Sequence, residues 1–353
     1  MISLSGLLIP ELEQLLSPLP VYRARQIYKW IIRGITDFDE MTDIPNSLKN
    51  ELKERFTIYS SKIESFYDDK DAKKIIVSLK DTKKIEAVLL KDKKERLTAC
   101  LSTQSGCPIG CVFCKTGTLG FSRNLTSHEI VEQFFFLNLI NEQRGAKSCD
   151  HIIDNIVIMG MGEPLLNLME LRKAIKFFSD KNGLNYSLRR ITLSTCGIID
   201  GLKDLAENGP YLRLALSLTT ADEMLRTSLM PVTASNPLEK VKEALIAFQR
   251  RSKNRITLEI PLLGGINTRE KDAKSIADFA RGLNTVANII PWNPVEGVEF
   301  NGKKLIEPEK KETEIFIRLL ESYGMKVTMR HKKGRKITGA CGQLGQCSSN
   351  EPI

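Results

Sequence analysis

Apolar runs and amphipathic stretches alternate along the chain from Arg96 onward. Short runs rich in Val, Ile and Leu are typical of buried strands, and apolar positions three or four apart are typical of helices. The predicted strands are 97–103, 155–160, 190–195, 212–218, 256–261 and 288–294, and the predicted helices are 126–143, 168–179, 200–207, 238–251, 269–283 and 308–323. Repeated βα units predict a parallel sheet. Six units in one continuous segment favour an open, partial (β/α)6 barrel of the α/β class over a closed barrel of eight strands.

The first ninety residues have a different pattern. Residues 1–60 predict a small helical domain with helices over 10–16, 22–33 and 45–56, and the second of these has a basic face. Residues 61–92 contain two β-rich runs around the turn at Lys80–Lys83, which predicts a β-hairpin extension. We therefore predict three parts: an accessory RNA-binding domain (1–60), the hairpin extension (61–92) and the barrel with a C-terminal loop (93–353).

Composition narrows the class of protein. The 353 residues are 42% hydrophobic and have a net charge of +9, so a large core is expected and a polyanion, first of all nucleic acid, is the expected partner. A generic basic surface is the alternative interpretation. We see neither a basic, apolar leader nor an apolar run of ~20 residues, and we expect a cytoplasmic protein without a membrane segment. Cytoplasmic thiols stay reduced, so eight cysteines indicate metal binding or catalysis.

Three cysteines, Cys107, Cys111 and Cys114, lie in one short loop at the spacing C-x3-C-x2-C. Structural zinc prefers four protein ligands, whereas a 4Fe-4S cluster held by three thiolates keeps one iron open to another ligand. The spacing resembles that of the radical S-adenosylmethionine enzymes. The resemblance implies a radical-SAM barrel, one 4Fe-4S cluster, and S-adenosylmethionine bound to the open iron. A zinc knuckle or three buried thiols remain the alternatives.

Small and polar residues follow the other predicted strands. Because active groups gather at the carboxyl ends of parallel strands, we expect these residues to share one mouth with the cysteine loop. The predicted cofactor-binding residues are Gly162, Glu163, Ser194, Ser217, Leu218, Thr219 and Asn293. Gly162 would allow a close backbone approach, and Glu163 would bind the ammonium group of the cofactor. Ordinary turn residues are the alternative for each Ser or Asn taken singly.

Two further cysteines stand in chemically distinctive places. Cys100 precedes the cysteine loop, and Cys341 lies in a glycine-rich segment downstream of Lys332, Lys333, Arg335 and Lys336. The basic neighbours predict a lowered thiol pKa and nucleophilic use of Cys341. None of the three histidines (His128, His151 and His331) stands in a triad pattern, which argues against a hydrolase.

Nearly the whole chain resembles one family, the radical S-adenosylmethionine RNA methyltransferases RlmN and Cfr. The matching segments are the cysteine loop and those that begin at Met159, Leu193, Ile290 and Ala340. Pro164 and Trp292 resemble the RlmN branch, whereas Thr219 stands where a histidine is usual. The resemblance implies methylation at C2 of adenosine 2503 in 23S rRNA and of adenosine 37 in tRNAs.

The same resemblance implies a role for each spare thiol. Cys341 would carry the methyl group and join covalently to the RNA, Glu86 would remove the C2 proton, and Cys100 would release the product by forming a disulfide. Two S-adenosylmethionine molecules per methylation and a flavodoxin or ferredoxin as electron donor are also implied. The alternatives are a Cfr-like C8 methyltransferase and an iron–sulfur RNA-binding or redox-sensing protein without turnover. Cys149, Cys196 and Cys347 are interpreted as spare thiols.

Overall fold

The structure is a computed structural model that describes residues 1–141, 153–330 and 332–345. Its strands are β1 (Ile2–Ser3), β2 (Phe56–Thr57), β3 (Lys62–Asp69), β4 (Ala72–Ser78), β5 (Lys84–Lys91), β6 (Leu97–Cys100), β7 (Gln104–Gly106), β8 (Phe121–Asn124), β9 (Ile153–Ile158), β10 (Ile191–Thr195), β11 (Arg213–Ser217), β12 (Ile256–Leu262), β13 (Thr285–Pro291), β14 (Glu299–Phe300), β15 (Lys303–Lys304) and β16 (Val327–Met329). Its α-helices are α1 (Ile9–Leu15), α2 (Val21–Ile32), α3 (Asn46–Arg55), α4 (Lys115–Thr118), α5 (Ser127–Leu139), α6 (Leu168–Ser179), α7 (Ile199–Asn208), α8 (Glu223–Leu229), α9 (Leu238–Ser252), α10 (Glu270–Ala280) and α11 (Lys310–Ser322).

A ten-stranded sheet organises the molecule, with the strand order β16-β13-β12-β11-β10-β9-β6-β5-β4-β3. Within this sheet, the seven strands β6, β9, β10, β11, β12, β13 and β16 pair in parallel, and a helix follows each of them except the last. The predicted α/β partial barrel of six βα units is therefore confirmed. Several short elements escaped the prediction, among them α8 and the seventh parallel strand β16. Neither is long enough to show a periodic pattern.

The hairpin extension belongs to the same sheet. The predicted hairpin is formed by β4 and β5, which pair antiparallel, and β5 pairs antiparallel with β6. A third antiparallel strand, β3, forms the sheet edge and was not predicted, because its side chains are mostly polar and partly exposed. The hairpin therefore delivers its side chains directly beside the first parallel strand of the barrel.

Local capping and apolar spacing define the helices near the predicted positions. The Thr126 hydroxyl accepts a hydrogen bond from the amide of Glu129, and the Glu129 carboxylate accepts one from the amide of Thr126, so α5 begins at the predicted capping box. The predicted end of this helix, near Gln143, lies outside the described residues. Within the described ranges, no helix combines the length and the apolar character needed to cross a membrane.

A buried carboxylate joins the N-terminal module to the barrel. Glu132 on α5 is fully buried and accepts hydrogen bonds from the hydroxyls of Ser3, Ser5 and Ser60 and from the amides of Ser60 and Ser61, at 2.7 to 3.0 Å. Hydrogen bonds to an ionised acceptor are among the strong ones, and a buried charge without them is costly. Glu132 therefore connects the first strand of the chain and the segment after β2 to the barrel.

Replacing Glu132 by Gln removes the negative charge and turns part of the acceptor into a donor. We expect a destabilisation of about 2–3 kcal/mol, because buried serine and amide donors lose their charged acceptor. Thermal unfolding and limited proteolysis between residues 1 and 60 measure the change. Glu321→Gln, at an exposed position of α11, is the matched control; equal stability of both variants would contradict the role of Glu132.

Candidate active site

Two adjoining cavities open at the carboxyl end of the parallel strands. We call the first the cluster cavity; it measures about 170 Å³ and is lined by all three loop cysteines together with Gly162, Glu163, Ser194, Ser217 and Thr219. The second, the thiol cavity, measures about 240 Å³ and is lined by Cys100, Cys341, Asn293 and Arg330. Cys341 and Arg330 line both cavities. Most of the residues predicted from strand ends therefore share one mouth.

The cysteine loop is held in place from the opposite side of the barrel. The indole N–H of the buried Trp292, just after β13, donates to the Phe113 carbonyl at 2.9 Å. The amide of Val112 donates to the carbonyl of Leu229, the last residue of α8, at 3.0 Å. These bonds fix the backbone between the cysteines, so the direction of each thiol is set by the fold.

The donor set fits a cluster. No three Cys, His, Asp or Glu side chains of the described ranges are close enough together to bind one metal ion. The three thiols instead border one cavity, and a 4Fe-4S cluster offers each thiolate an iron of its own. Burial raises the pKa of Cys107 to about 12 and that of Cys111 well above its usual range, so a bound cationic centre is what would keep these thiols deprotonated.

Buried polar atoms without partners face the places where a polar cofactor would bind. The Thr219 hydroxyl is fully buried, and neither it nor the Asn293 side-chain oxygen has a hydrogen-bond partner among the described residues. A buried polar group without a partner costs about 1–3 kcal/mol, which a ligand with matching donors and acceptors recovers. Ser194 and Ser217 bond to each other at 3.0 Å between their hydroxyls. The lining fits the polar ends of S-adenosylmethionine.

Gly162 and Glu163 line the cluster cavity as predicted, and both also make contacts within the chain that the sequence did not indicate. A Cβ at Gly162 would lie 2.5 Å from the Gln104 Cβ, and its φ is +102°, so the close approach that requires glycine is to Gln104 of this chain. The Glu163 oxygens accept hydrogen bonds from the amides of Leu165 and Cys196 at 3.0 and 2.8 Å. Burial raises the pKa of Glu163, while hydrogen bonds from the amides of Cys196 and Leu165 and from the side chains of Thr195 and Cys196 oppose the rise.

Leu218 lies away from both cavities, so its predicted contact with the cofactor gains no support from its position and stays a prediction. Its side chain is fully buried in the main core, and it lines neither cavity. Its carbonyl instead accepts a hydrogen bond at 3.0 Å from the fully buried Arg226 of α8. A strand end presents alternate residues to opposite sides, which explains why Ser217 and Thr219 reach the cavity while Leu218 does not.

Arg226 is a structural centre of this mouth that the sequence did not indicate. Its guanidinium also donates to the Cys196 and Ser217 carbonyls at 2.6 and 3.3 Å and to the Thr233 hydroxyl at 2.7 Å. All of these acceptors are neutral oxygens, and its charge acts on Cys111. Arg226 therefore links the ends of β10 and β11 beneath the cluster cavity.

The two spare thiols are brought together. Both line the thiol cavity, and each is close enough to Arg330 and to the other for their charges to interact. Cys341 is exposed and lines both cavities. Desolvation raises the pKa of Cys100 to about 12 and also raises that of Cys341, and Arg330 opposes both shifts.

The lowered pKa predicted for Cys341 is therefore wrong, because three of the four basic residues upstream of it are engaged elsewhere. Lys332 and Arg335 both pair with Glu307, and the Lys333 ammonium donates to the Lys91 carbonyl. Arg330, one residue beyond β16, is the cation that acts on the thiols. Nothing in the sequence pattern indicated Arg330, since the strand that presents it was not predicted.

Hydrogen bonds hold the segment 340–345 against three parts of the structure, namely α4, the residues just after β13, and β5. The amide of Lys115 donates to the Gly342 carbonyl and the Thr116 hydroxyl to the Leu344 carbonyl, both at 2.8 Å. The Asn293 side-chain amide donates to the Cys341 carbonyl at 3.1 Å. Two further bonds, from Gln343 to the Pro294 carbonyl and from the Gly345 amide to Glu86, complete the set.

Glu86 lies at the edge of this segment. It is 5% exposed, and its Oε2 is 3.1 Å from the Gly345 amide nitrogen and 3.6 Å from the Nζ of the fully buried Lys74. Burial raises the pKa of Glu86, while Lys74 and the Gly345 amide oppose the rise. Glu86 lines neither cavity in this arrangement, so the segment at Gly345 separates it from the thiols.

Among the remaining cysteines, Cys196 is buried, lines the cluster cavity and interacts electrostatically with Cys111 and Glu163. Cys196 therefore lines the same cavity as the three loop cysteines, although it was interpreted as a spare thiol. Cys149 and Cys347 lie outside the described residues.

Comparison with known proteins agrees with this geometry. Residues 101–279 match the radical SAM superfamily, and residues 3–58 match the ribosomal RNA large subunit methyltransferase N-terminal domain. A crystal structure of a radical SAM methyltransferase from Sphaerobacter thermophilus superposes with a TM-score of 0.91 at 32% identity, covering 98% of this chain and 99% of that one. The chain is thus an enzyme of the radical SAM superfamily, whose members use a 4Fe-4S cluster and S-adenosylmethionine.

Curated relatives define the family more closely. A probable dual-specificity RNA methyltransferase RlmN from Treponema denticola is 46% identical over 98% of this chain and 96% of its own length. The corresponding protein of Treponema pallidum is 42% identical, with 98% and 97% covered, and the dual-specificity RNA methyltransferase RlmN of Lawsonia intracellularis is 39% identical, with 98% and 96% covered. The chain belongs to the RlmN family of S-adenosylmethionine-dependent RNA methyltransferases.

Arg330→Gln tests the electrostatic account of the thiols. Removing the cation raises the pKa of Cys341 further. At a pH below that pKa, the fraction of Cys341 present as thiolate then falls by about tenfold for each unit that the pKa rises. We expect slower alkylation of Cys341 by iodoacetamide at pH 8, followed by mass spectrometry of the peptide that contains it. Arg318→Gln, at an exposed position of α11, is the control; an unchanged or faster rate in Arg330→Gln would refute the assignment.

Arg226→Met removes the side-chain hydrogen bonds that Arg226 makes while keeping much of its volume. We expect a loss of about 3 kcal/mol or more, because buried carbonyls at two strand ends are left without a donor. The thermal unfolding temperature and the iron-to-protein ratio after cluster reconstitution should both decrease. Arg251→Met, exposed on α9, should leave both unchanged, and full iron retention in Arg226→Met would show that the cavity does not depend on Arg226.

Proposed function

We propose that this chain methylates C2 of adenosine 2503 in 23S rRNA and of adenosine 37 in tRNAs. The observation that supports this most directly is the position of Cys341, which lines the cluster cavity and also shares the thiol cavity with Cys100. One thiol beside the cluster cysteines suits methyl acceptance, and a second thiol beside the first suits product release. A redox sensor would have no use for such a pair next to a cofactor cavity.

The proposed roles of the residues follow from these positions. When bound, the cluster and S-adenosylmethionine supply a methyl group and remove a hydrogen atom from it, using two S-adenosylmethionine molecules per methylation. The Cys341 sulfur carries the resulting one-carbon unit, whose carbon bonds to C2 of the adenine. Glu86 takes the C2 proton, and the unpaired electron of the adduct would pass to the oxidised cluster. The Cys100 thiolate sulfur then bonds to the Cys341 sulfur as the bond from that sulfur to carbon breaks, and the released carbon takes up a proton, which completes the methyl group on the base.

Glu86 suits the proton-accepting role only if the segment 340–345 moves. Burial raises its pKa toward that of a useful base, and Lys74 keeps the charged form accessible. The contact between Glu86 and the Gly345 amide is part of the set that positions Cys341. A shift of this segment would therefore expose the base and reposition the methyl-carrying thiol in one movement.

RNA binding is proposed for the N-terminal module and the mouth. Arg25, Lys29 and Arg33 on α2 have exposed side chains, and exposed cations on one face suit phosphate contacts. The target adenine would have to leave its stack to reach the thiol cavity. A flavodoxin or ferredoxin is the proposed electron donor, and the cytoplasm the proposed location.

Replacing Cys341 or Cys100 by Ala distinguishes the proposed methyl-carrying step from the proposed release step. Cys341→Ala should abolish methylation, since nothing else carries the one-carbon unit. Cys100→Ala should instead accumulate a covalent enzyme–RNA species, since release needs the second thiol. Nucleoside mass spectrometry for 2-methyladenosine and denaturing gels of the enzyme with 23S rRNA fragments and tRNA measure the two outcomes.

Cys149→Ser serves as the control thiol exchange and should behave like the native enzyme. Methylation by Cys341→Ala would refute the proposed mechanism. Formation of 8-methyladenosine in place of 2-methyladenosine would favour the Cfr-like alternative, and no modified nucleoside from either RNA would favour a protein without turnover.

A further inference from the structure

A third cavity lies inside the barrel at the opposite end from the active site. We call it the basal cavity; it measures about 770 Å³ and is bordered by residues at or next to the amino ends of β11, β12, β13 and β16. Interiors of βα barrels are usually filled by branched apolar side chains. Here most of the lining is polar, and the inner end of the cavity reaches Met159, Glu259 and Arg330, which also line the cluster cavity.

The charges around the basal cavity are strongly unbalanced. Arg213, Arg255 and Lys326 surround it with exposed side chains, and none of the three forms an ion pair or a side-chain hydrogen bond with another residue of the described ranges. Arg330 adds a fourth cation at the inner end, and Glu259 is the single carboxylate in the lining. Four cations against one carboxylate create a positive potential inside a concave surface, which attracts anions.

The neutral side chains of the lining are suited to the same kind of ligand. Thr192, Thr257 and Asn284 border the cavity along with the cations, whereas the Asn254 side-chain amide there already donates to the carbonyls of Tyr211 and Leu212. Hydroxyl and amide groups donate hydrogen bonds to phosphate oxygens, and the guanidinium fork matches two oxygens of one phosphate group. Purely electrostatic attraction would fit any anion, whereas this combination of arginines with hydroxyl and amide donors fits a tetrahedral oxyanion.

A hydrogen-bonded chain leads from the basal cavity to Glu259, which interacts electrostatically with Arg330. The Thr328 hydroxyl donates to the Asn288 side-chain oxygen at 3.0 Å, and the Asn288 amide donates to Glu259 Oε2 at 2.8 Å. The charge of Glu259 acts on Arg330, and Arg330 acts on Cys100 and Cys341. An anion in this cavity would therefore be linked to the active site through a series of polar and charged side chains.

We propose that the basal cavity is a binding site for phosphate groups, distinct from the cavities that serve methylation. The phosphate belongs either to a free anion or to the backbone of the RNA substrate. Both sources present phosphate oxygens to Arg213, Arg255 and Lys326. They differ because, in the second case, the rest of the RNA must also fit at the amino ends of the strands.

The double variant Arg213→Gln/Arg255→Gln tests the proposal in the full chain, with inorganic phosphate as the probe in isothermal titration calorimetry. Both side chains are exposed, so the variant should fold like the native protein, which thermal unfolding checks. We expect saturable phosphate binding by the native protein and at least tenfold weaker binding by the variant. Lys311→Gln/Arg318→Gln removes the same charge from exposed positions of α11 and should bind phosphate like the native protein.

A second titration, with substrate RNA at several salt concentrations, distinguishes the two sources. If RNA phosphates occupy the cavity, the Arg213/Arg255 variant loses RNA affinity with a smaller salt dependence, while the α11 control does not. If a free anion occupies it, RNA affinity is unchanged and phosphate binding alone falls. Equal losses in both double variants, or no saturable phosphate binding together with unchanged RNA affinity, would overturn the proposal.

Discussion

The hydrogen bonds between the segment 340–345 and the cysteine loop are the constraint on which the candidate active site depends. Glycines at 342 and 345 give this segment many accessible conformations, and a single hydrogen bond contributes only about 1 kcal/mol to holding one of them. Bonds from Lys115 and Thr116 tie it to the cysteine loop, and Asn293 ties it to the end of β13. Together they place one thiol on the boundary between two cavities, which no single secondary-structure element of the barrel could do.

Burial and charge act on the thiols in opposite directions, and burial prevails. Desolvation raises the pKa of Cys100 and Cys341, and the nearby Arg330 only reduces the rise. A protonated thiol is a poor nucleophile and is less readily oxidised than a thiolate. The arrangement therefore favours the protonated form of both thiols, and a bound cofactor or a shift of the segment that contains Cys341 would change this balance by changing their surroundings.

The sequence allowed correct predictions where a general rule relates a sequence pattern to a position in the fold. Periodicity showed the long strands and helices, and the rule that parallel strands end at one edge placed Glu163, Ser194 and Ser217 together with the cysteine loop. Prediction failed for short elements, since three residues of β16 have no period, and with them Arg330 was missed. It also failed for the pKa of Cys341, because closeness in sequence to four basic residues says nothing about their partners.

The elements that escaped prediction supply the positive charge that the site requires. Its mouth collects thiols with two buried carboxylates, Glu163 and Glu259, and each of these is less stable when ionised because burial removes water. Arg226 comes from the short helix α8 and Arg330 follows the short strand β16. Helix-forming and strand-forming patterns record how apolar faces are buried, whereas the charge balance of a buried site depends on single side chains. Such side chains become visible only once the backbone has placed them, which is why the chemistry of this mouth was predicted less completely than its fold.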